Sequence, residues 1–273
     1  MTMPVTRSAV VIVRNEELNL PGLLDNLLDW IDEVVLIDDG STDKTGQIAR
    51  DAGPKVRLID HPMIPEKGFA GQRNAGIETA TSEWLLHLDC DERISSELRA
   101  EIVAKTENTE LNAMRYTRLN YFMHRPMRYG GWASWNRPQI ARKGMHHFTG
   151  LVHETCVIEG GDAATGQLNA LMHHLNDHDF AQRLAKSTQY SQMEADKLIE
   201  RAETVRPASL LTKPLREFVK KYVVQQGFRD GVPGLVAALH GATSIFRIRA
   251  LAWDHQNAIP REKLEQPFRK SEF

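Results

Sequence analysis

The stretch that decides the fold is "SAVVIVRNEELNLPGLLDNLLDWIDEVVLIDDG", residues 8–40. Its two ends, residues 8–13 and 33–40, are short apolar runs rich in β-branched residues, which is typical of buried parallel strands. Between them, leucines recur at helical spacing and Pro21 lies near the start of the predicted helix. The stretch therefore predicts a strand, a helix and a second strand, the repeating unit of an open α/β sheet.

The same alternation continues along the chain. "STDKTGQIARDAG" predicts a second helix, residues 56–59 a third strand, "GFAGQRNAGIETA" a third helix and "WLLHLD" a fourth strand. After about residue 110 the pattern becomes strand-like in "NAMRYTRLNYFM" and "RPQIARKG", and long helices follow from Asp179. We therefore expect an α/β fold with an open, mostly parallel but mixed sheet flanked by helices. Residues 1–178 are predicted to form the catalytic domain and residues 179–273 a helical extension.

The bulk composition limits the class of protein. With 273 residues, 41% of them hydrophobic, the chain can bury one large core or a core with an appendage. The formal net charge of −2 does not suggest a nucleic-acid-binding protein, and the two cysteines, Cys90 and Cys156, fit a reducing compartment. The first apolar run is too short for a signal peptide, and the best membrane-span candidate, residues 231–253, is interrupted by His240 and two arginines. We expect a cytoplasmic protein without a membrane span.

Two predicted strands end in carboxylates: Asp38 and Asp39 follow the second strand, and Asp89 and Asp91 follow the fourth. The carboxyl ends of parallel strands border a ligand crevice. Because successive side chains of an extended chain point to opposite sides, Asp89 and Asp91 face the same way and can share one hard divalent cation that neutralises a diphosphate. The alternative is that these acids only begin the next helix, with Ser95 as its cap.

Four segments in a fixed order resemble the inverting glycosyltransferases of family 2, whose nucleotide-sugar domain is of the GT-A type. The segments are "VRNEE" (13–17), "DDGSTD" (38–43), "GQRNAG" (71–76) and "LDCDE" (88–92). The resemblance implies a nucleotide-sugar donor, usually a UDP-sugar, with Asp39 on the base, and it implies Mg²⁺ or Mn²⁺ at Asp89 and Asp91, the latter as the direct ligand. The other residues that it places beside the donor are Arg14, Asn15, Glu16, Asp38, Arg73 and Asn74.

Other nucleotide-binding classes fit the first loop less well. A Rossmann dehydrogenase would have Gly-x-Gly-x-x-Gly where Arg14, Asn15 and Glu16 stand, and the chain contains no phosphate-loop motif. A sugar nucleotidyltransferase would be expected to carry a glycine-rich basic loop there. A nucleotide-sugar-binding or scaffold protein without catalysis stays open as an alternative, and it would bind UDP with a metal yet transfer nothing.

Inverting transfer requires a general base on the acceptor side, away from the metal motif. "GLVHETC" (150–156) offers Glu154, preceded by His153, and resembles the Gly-x-Val-His-Glu element of a family 2 subgroup that includes lipopolysaccharide core glucosyltransferases. This resemblance implies Glu154 as the base, His153 as a positioning or phosphate-contacting residue, and a glycan or glycolipid acceptor. The alternative is a Glu154 that is solvated or paired with Arg142.

Histidines and tryptophans cluster in the same region. Six histidines between residues 146 and 178 could suggest zinc, but there is neither a His-Glu-x-x-His motif nor a cysteine pair, so a dedicated zinc site is not expected. "MHHLNDHDF" (172–180) is instead predicted to close over the site and to supply His174 to the diphosphate or the metal. Its similarity to the family element is partial, because Leu175 and Asn176 follow the histidine pair. Trp132 or Trp135 could form a sugar platform or equally belong to the core.

Positive charge is concentrated near the carboxyl terminus. Between Arg206 and Arg249 eight Lys or Arg stand against two acids, a net charge of +6, so the rest of the chain carries −8. Basic helices with interleaved aromatic residues suit an anionic membrane surface, here the inner face of the cytoplasmic membrane where a lipid-linked acceptor would be assembled. The alternative is a helix face that packs on the catalytic domain or on a second copy in a homo-oligomer. Nucleic acid is not expected, since no binding motif accompanies the charge.

Overall fold

The computed structural model describes residues 4–150 and 154–268. The strands in these ranges are β1 (Arg7–Val13), β2 (Glu33–Asp38), β3 (Val56–Asp60), β4 (Trp84–Leu88), β5 (Glu92–Ile94), β6 (Ala113–Phe122), β7 (Arg125–Pro126), β8 (Asn136–Arg142), β9 (His146–Thr149), β10 (Thr155–Ile158) and β11 (Thr165–His174). The α-helices in the same ranges are α1 (Leu20–Leu27), α2 (Thr45–Asp51), α3 (Gly68–Thr79), α4 (Ser96–Glu107), α5 (Phe180–Glu200), α6 (Ser209–Phe218), α7 (Gly231–Gln256) and α8 (Arg261–Glu265). A π-helical segment, Val219–Val224, follows α6, and short 3₁₀ turns cover Trp132–Ser134, Gly161–Ala164, Gly227–Asp230 and Gln266–Phe268.

The main sheet is mixed, as the sequence predicts. Its strands run in the order β3-β2-β1-β4-β8-β6-β11-β5. The four strands from β3 to β4 are parallel, β8 is antiparallel to both of its neighbours, and β11 is parallel to β6. The first strands are buried on both faces: Ala9 and Val11 pack into one core, whereas Val10 packs with Val35 into another on the opposite side. The predicted fold class, a helix-flanked α/β sheet with a helical carboxyl-terminal part, is confirmed.

The strand order positions the carboxylates. Val13 at the end of β1 is in register with Asp38 at the end of β2, and on the other side of β1 Val11 is in register with Leu88 of β4. The chain leaves β1 toward β2 and later returns to β4 on the opposite side, so the strand order reverses at β1. Ligands of open α/β sheets bind at such a switch point.

The acids after β4 do not lie inside a helix. Ser95 caps α4, and its hydroxyl accepts a hydrogen bond from the Leu98 N–H at 3.1 Å, as one of the two interpretations predicts. However, the short strand β5 intervenes, and Asp89 and Asp91 lie in the connection between β4 and β5. Both features that the sequence suggested are therefore present: Ser95 caps α4, and the acids lie at the end of β4, outside that helix.

Helix α3 lies close to β1 because of a glycine. A Cβ atom on Gly76 would overlap Cγ1 of Val10, so only glycine permits this approach. The arrangement buries Arg73 and Gln72 of the same helix. The side chains of Arg73 and Gln72 are thereby placed next to the sheet edge at which the acids lie.

The structure divides into two compact units. The sheet unit comprises residues up to 121 together with 133–176, and the helical unit comprises 122–132 together with the residues from 177 onward. In the helical unit, α7 packs against α5 and α6, and the small Ala252 lies in one cluster with Ala195 of α5 and Leu210 of α6. By length and composition alone, residues 227–256 are apolar enough to cross a membrane, and 22% of their most apolar window is buried. The domain boundary at residue 178 stays a prediction.

Candidate active site

A cleft of about 560 Å³ opens at the carboxyl ends of β1, β2 and β4. Apolar side chains such as Ile12 and Phe69 form part of its wall, beside the buried Cys90. It brings together residues that the sequence analysis selected from separate segments: Arg14, Glu16, Asp39, Asp89, Asp91 and His174. The predicted convergence of the strand ends therefore produces one cavity within the sheet unit.

Asp39 is held at the end of β2 by two donors. The Arg14 guanidinium donates to Oδ2 at 2.9 Å, and the Met63 backbone N–H donates to Oδ1 at 2.6 Å. Two thirds of the Arg14 side chain is exposed, so Arg14 lies on the solvent side of the cleft. Glu16 lines the same cleft and accepts a hydrogen bond from Asn19 at 2.8 Å.

Asp38 and Asn15 make contacts that shape the loops. The Asp38 carboxylate accepts from the N–H and the hydroxyl of Ser41, at 3.0 and 2.6 Å. Asn15, with a φ of +56°, donates its N–H to the Ser41 hydroxyl and accepts from the Thr42 N–H at 2.8 Å. These bonds join the loop after β1 to the loop after β2. The donor contacts predicted for Asp38 and Asn15 stay predictions.

Asp89 is clamped by two arginines. The Nη2 atom of Arg73, on α3, donates to Oδ1 at 2.8 Å, and Nη2 of Arg118, on β6, donates to Oδ2 at 2.9 Å. Burial alone would raise the pKa of Asp89, but the two positive charges hold it well below its usual range. Both oxygens of this carboxylate are thus already engaged by cations of the protein.

Arg118 also contacts a second buried acid, Glu92. Its Nη2 lies 2.6 Å from Glu92 Oε1, and the other Glu92 oxygen accepts the Asp89 N–H at 2.8 Å. Burial raises the pKa of Glu92 to about 7 despite the neighbouring guanidinium. Arg118 lies over the Trp135 ring, with Cζ 3.8 Å from the ring centre, and this stacking fixes its plane. Neither residue was predicted as part of the site. The available signals were a charged Arg118 within a strand-like alternation and the position of Glu92 at the end of "LDCDE".

Asp91 and His174 form the part of the acidic cluster that is open to a cation. The His174 Nε2 atom lies 3.2 Å from Asp91 Oδ2, and Nδ1 lies 2.7 Å from the Asn120 amide oxygen. One ligand atom each from Asp89, Asp91 and His174 lie within 4.8 Å of one another. Because Asp89 is committed to the arginines, Asp91 and His174 are the better ligand candidates. A carboxylate oxygen with an imidazole nitrogen fits Mn²⁺, and with water ligands it also fits Mg²⁺.

Glu154 lies beside the same network. Its Oε1 accepts from the Nε atom of Arg73 at 3.2 Å, so one guanidinium joins Glu154 to Asp89. Arg142, the alternative partner that the sequence suggested, instead bonds Glu83 and backbone carbonyls. His153 falls outside the described residues, and its predicted role stays a prediction.

Asn74 stabilises the strand pair that adjoins Glu154. Its side-chain amide exchanges two hydrogen bonds with the backbone of Phe148 on β9, at 2.9 and 2.8 Å. Strand β9 pairs with β10, which begins directly after Glu154. The donor contact predicted for Asn74 stays a prediction, whereas its observed contacts hold the β9–β10 strand pair against α3.

The tryptophans contact protein side chains. Trp135 packs against Tyr116, with ring centres 5.8 Å apart, and belongs to the border of the main core. Trp132, in the helical unit, lies 5.4 Å from Phe122. These contacts are the ones expected if the two tryptophans belong to the core and not to a sugar-binding platform.

Comparisons with known proteins find one family model and several relatives that are similar to this chain. The model of the family described as "Glycosyl transferase family 2" matches residues 8–158. "Lipopolysaccharide core biosynthesis glycosyltransferase LpsC" from Rhizobium meliloti is 29% identical over 249 residues, which cover 88% of each chain. An uncharacterized glycosyltransferase from Rickettsia felis is 25% identical over 279 residues, covering 97% of this chain and 96% of the relative. Among solved structures, residues 1–349 of S. aureus TarS in complex with UDP-GlcNAc align over 94% of this chain and 93% of that one, with 16% identity and a TM-score of 0.45.

Proposed function

Because the chain belongs to glycosyl transferase family 2, and is thus a glycosyltransferase, we propose that it transfers a sugar from a nucleotide-sugar donor, a UDP-sugar in the first instance, to a glycolipid or lipopolysaccharide-type acceptor with inversion at the anomeric carbon. The observation that carries this proposal is the position of Arg73. This single buried guanidinium joins the strand-end acid Asp89 to Glu154, the candidate base, at 2.8 and 3.2 Å.

The donor would lie along the cleft with its base at Asp39. A carboxylate at this position can accept the imide N–H of uracil, and the apolar wall that includes Ile12 and Phe69 can cover the base. Arg14, which bonds Asp39 and is largely exposed, can move aside without disturbing the core. The diphosphate would then extend toward Asp91 and His174.

A divalent cation, Mg²⁺ or Mn²⁺, would be held by Asp91 and His174. Bound there, it would neutralise charge on the leaving diphosphate. Asp89, fixed between Arg73 and Arg118, would orient the donor and keep both guanidiniums beside it. The imidazole of His174 is in turn oriented by Asn120.

Glu154 would take the proton from the acceptor hydroxyl. It lies on the connection between β9 and β10, away from the β4–β5 connection that carries Asp91. Base and leaving-group residues on different elements suit a direct displacement, in which the nucleophile attacks from the side opposite the diphosphate. The Arg73 contact holds the carboxylate in one orientation.

The acceptor class rests on the relative and on the charge pattern. The relative from Rhizobium meliloti is named for lipopolysaccharide core biosynthesis, and the similarity covers 88% of both chains. The basic carboxyl-terminal helices agree with an acceptor in an anionic membrane. We accordingly propose a cytoplasmic protein that works at the inner face of the cytoplasmic membrane.

The deciding experiment is a thermal-shift panel of nucleoside diphosphates and nucleotide sugars with and without Mn²⁺ or Mg²⁺, followed by transfer and donor-hydrolysis assays. A ligand that binds the folded protein raises its apparent stability, by about 2.7 kcal/mol at a hundredfold excess over Kd. We expect UDP with Mn²⁺ to stabilise the protein, and chelation of the metal to abolish the gain.

Two variants separate the assigned roles. Glu154→Gln should keep the metal-dependent stabilisation by UDP and lose turnover by about 10²–10⁴-fold, whereas Asp91→Asn should lose both. The control is Glu83→Gln, a half-exposed glutamate outside the cleft. Stabilisation without transfer or hydrolysis in the wild type would favour the non-catalytic alternative, and no stabilisation by any nucleoside diphosphate would overturn the proposal.

A further inference from the structure

The helical unit exposes a row of apolar side chains on one helix. Leu211, Leu215, Val219 and Val223 follow one another at intervals of four residues along α6 and the π-helical segment. Their exposed fractions are 75%, 63%, 40% and 55%, and the adjacent Val224 is 70% exposed. Leucine and valine side chains normally lose most of this exposure in a folded protein. We call these four residues the apolar row.

A second row, of positive charge, runs beside it. Lys213, Arg216 and Lys220 are exposed, and within the described residues none of the three forms an ion pair. At about 100° per residue in α6, Lys213 and Arg216 project about 60° apart, and Lys220 follows in the π-helical segment beside Val219. Residues 209–224 contain four basic residues and one acid, Glu217, a net charge of +3. We call Lys213, Arg216 and Lys220 the basic row.

The two rows border a common groove. A depression of about 490 Å³ is lined by Leu215, Val219 and Val224 on its apolar side and by Arg216 and Lys220 on its basic side. Apolar surface beside positive charge is what an anionic lipid needs, since its acyl chain and its phosphate require different neighbours. The groove therefore has the chemistry of a lipid surface contact.

We propose that residues 209–224 lie in the interface of an anionic lipid bilayer, with the apolar row inserted at the acyl boundary and the basic row at the phosphates. Charge complementarity identifies the occupant. A second copy of the chain, docked face to face on this row, would place one +3 helix against another, and like charges at such an interface are unfavourable. A bilayer surface rich in anionic lipid has the opposite sign.

The helical unit contains another exposed apolar row, on α7. Val232, Leu239, Phe246 and Trp253 lie seven residues apart, a spacing that also suits helix pairing. The charged neighbours Arg247 and Arg249 are hydrogen-bonded inside the unit, to Ser187 and Glu203. The α7 row thus has no comparable set of exposed basic side chains within the described residues, and pairing of two copies there is an outcome that the test detects.

The proposed surface would bring the enzyme to its acceptor. The explanation of this surface by a lipid-linked acceptor rests on the function proposed above. Binding to a bilayer is measured without donor, metal or turnover, so the two proposals can fail separately.

The test is sedimentation of the full chain with large vesicles of phosphatidylglycerol and phosphatidylcholine, compared with vesicles of phosphatidylcholine alone. We expect binding to the anionic vesicles that weakens as salt screens the charges. Lys213→Gln/Arg216→Gln/Lys220→Gln should weaken the partition coefficient about fivefold per charge, on the order of a hundredfold in total. Leu211→Ser/Leu215→Ser/Val219→Ser should weaken it about tenfold per side chain.

The controls are Lys105→Gln and Val157→Ser, which remove an exposed charge and an exposed apolar side chain from the sheet unit. Circular dichroism and the midpoint of thermal unfolding, both measured without ligand, establish that each variant is folded. Equal binding by the wild type and both triple variants would overturn the proposal, as would absence of binding to anionic vesicles. Sedimentation velocity adds the remaining outcome: a dimer that the apolar-row variant abolishes, without vesicle binding, would assign the row to a second copy instead.

Discussion

At the scale of single residues, the site depends on which positively charged side chains pair with which carboxylates. Arg73 and Arg118 bond both oxygens of Asp89, whereas Asp91 lies beside His174, the pair that we propose as the cation ligands. Asp89 and Asp91, two residues apart in the sequence, therefore have different partners. Both carboxylates line the cleft, but Asp89 balances the guanidiniums of Arg73 and Arg118, whereas Asp91 lies beside His174.

This division predicts opposite phenotypes for two matched substitutions. Asp89→Asn leaves two buried arginines without their shared counter-charge and should lower the free energy of unfolding by about 3 kcal/mol. Asp91→Asn should fold with nearly wild-type stability and lose the stabilisation that Mn²⁺ gives in the presence of UDP. Urea unfolding and thermal shift measure the two effects, and equal stability losses in both variants would contradict the assignment.

Arg73 is predicted to be irreplaceable even by lysine. Its planar guanidinium donates through Nη2 to Asp89 and through Nε to Glu154, and one ammonium group cannot reproduce that fork. Arg73→Lys should reduce turnover by at least about tenfold while UDP still binds. Arg57→Lys is the control, because Arg57 is partly exposed and makes its ion pair with Glu33 outside the cleft. Unchanged turnover in Arg73→Lys would refute the bridging role.

At the scale of elements, the position of α3 is decided by Gly76 against Val10 of β1. Gly76→Ala should force the helix away from the sheet, move Arg73, and destabilise the protein by about 1–3 kcal/mol with loss of turnover. Gly46→Ala on α2 is the matched control. The added Cβ would there meet the end of the Arg50 side chain at 3.4 Å and lie in ordinary contact with Leu58 Cδ2 at 3.7 Å, and alanine favours the helix. A neutral Gly76→Ala would show that α3 can be displaced without consequence.

Strands β4 and β9 are joined by a buried histidine pair that should make stability depend on pH. His87 and His146 have their Nε2 atoms 2.7 Å apart. Burial, with the charge of His146, lowers the pKa of His87 well below its usual value, and burial also lowers that of His146. Below pH about 6.5 the unfolded chain therefore binds protons that the native protein does not, so this contribution is present above that pH and is lost as the pH falls.

The measurement is the free energy of unfolding between pH about 8 and about 5.5 for the wild type and for His146→Gln. The variant should lose stability less steeply on acidification. Glu92, whose pKa is raised to about 7, contributes a slope of opposite sign between pH about 4.5 and 7. For this reason the quantity to compare is the difference in the free energy of unfolding between variant and wild type at each pH. Identical pH slopes of the two proteins would contradict the prediction.

At the scale of the whole molecule, the two units have different chemistry. The sheet unit contains the acidic cleft, and the helical unit contains the basic row and the apolar row. Transfer to an acceptor in anionic vesicles should fall as ionic strength rises, because the Debye length shortens from about 30 Å at 0.01 M to about 10 Å at 0.1 M. Donor hydrolysis in solution should be much less sensitive to salt. Comparing the two rates over a salt series is the check, and parallel salt dependence would argue against a membrane step.

The sequence by itself determined the alternating strands and helices up to β4, the positions of the acids after those strands, and the family. Strand and helix periods are local properties, and the carboxyl ends of parallel strands necessarily share one edge, so Asp39, Asp89 and Asp91 could be placed together before the structure was known. Only the tertiary structure decided which arginines pair with Asp89 and Glu154. Arg118 reaches Asp89 from 29 residues away and Arg73 reaches Glu154 across 81. Such contacts depend on how strands and helices are packed, and no local period of the sequence records them.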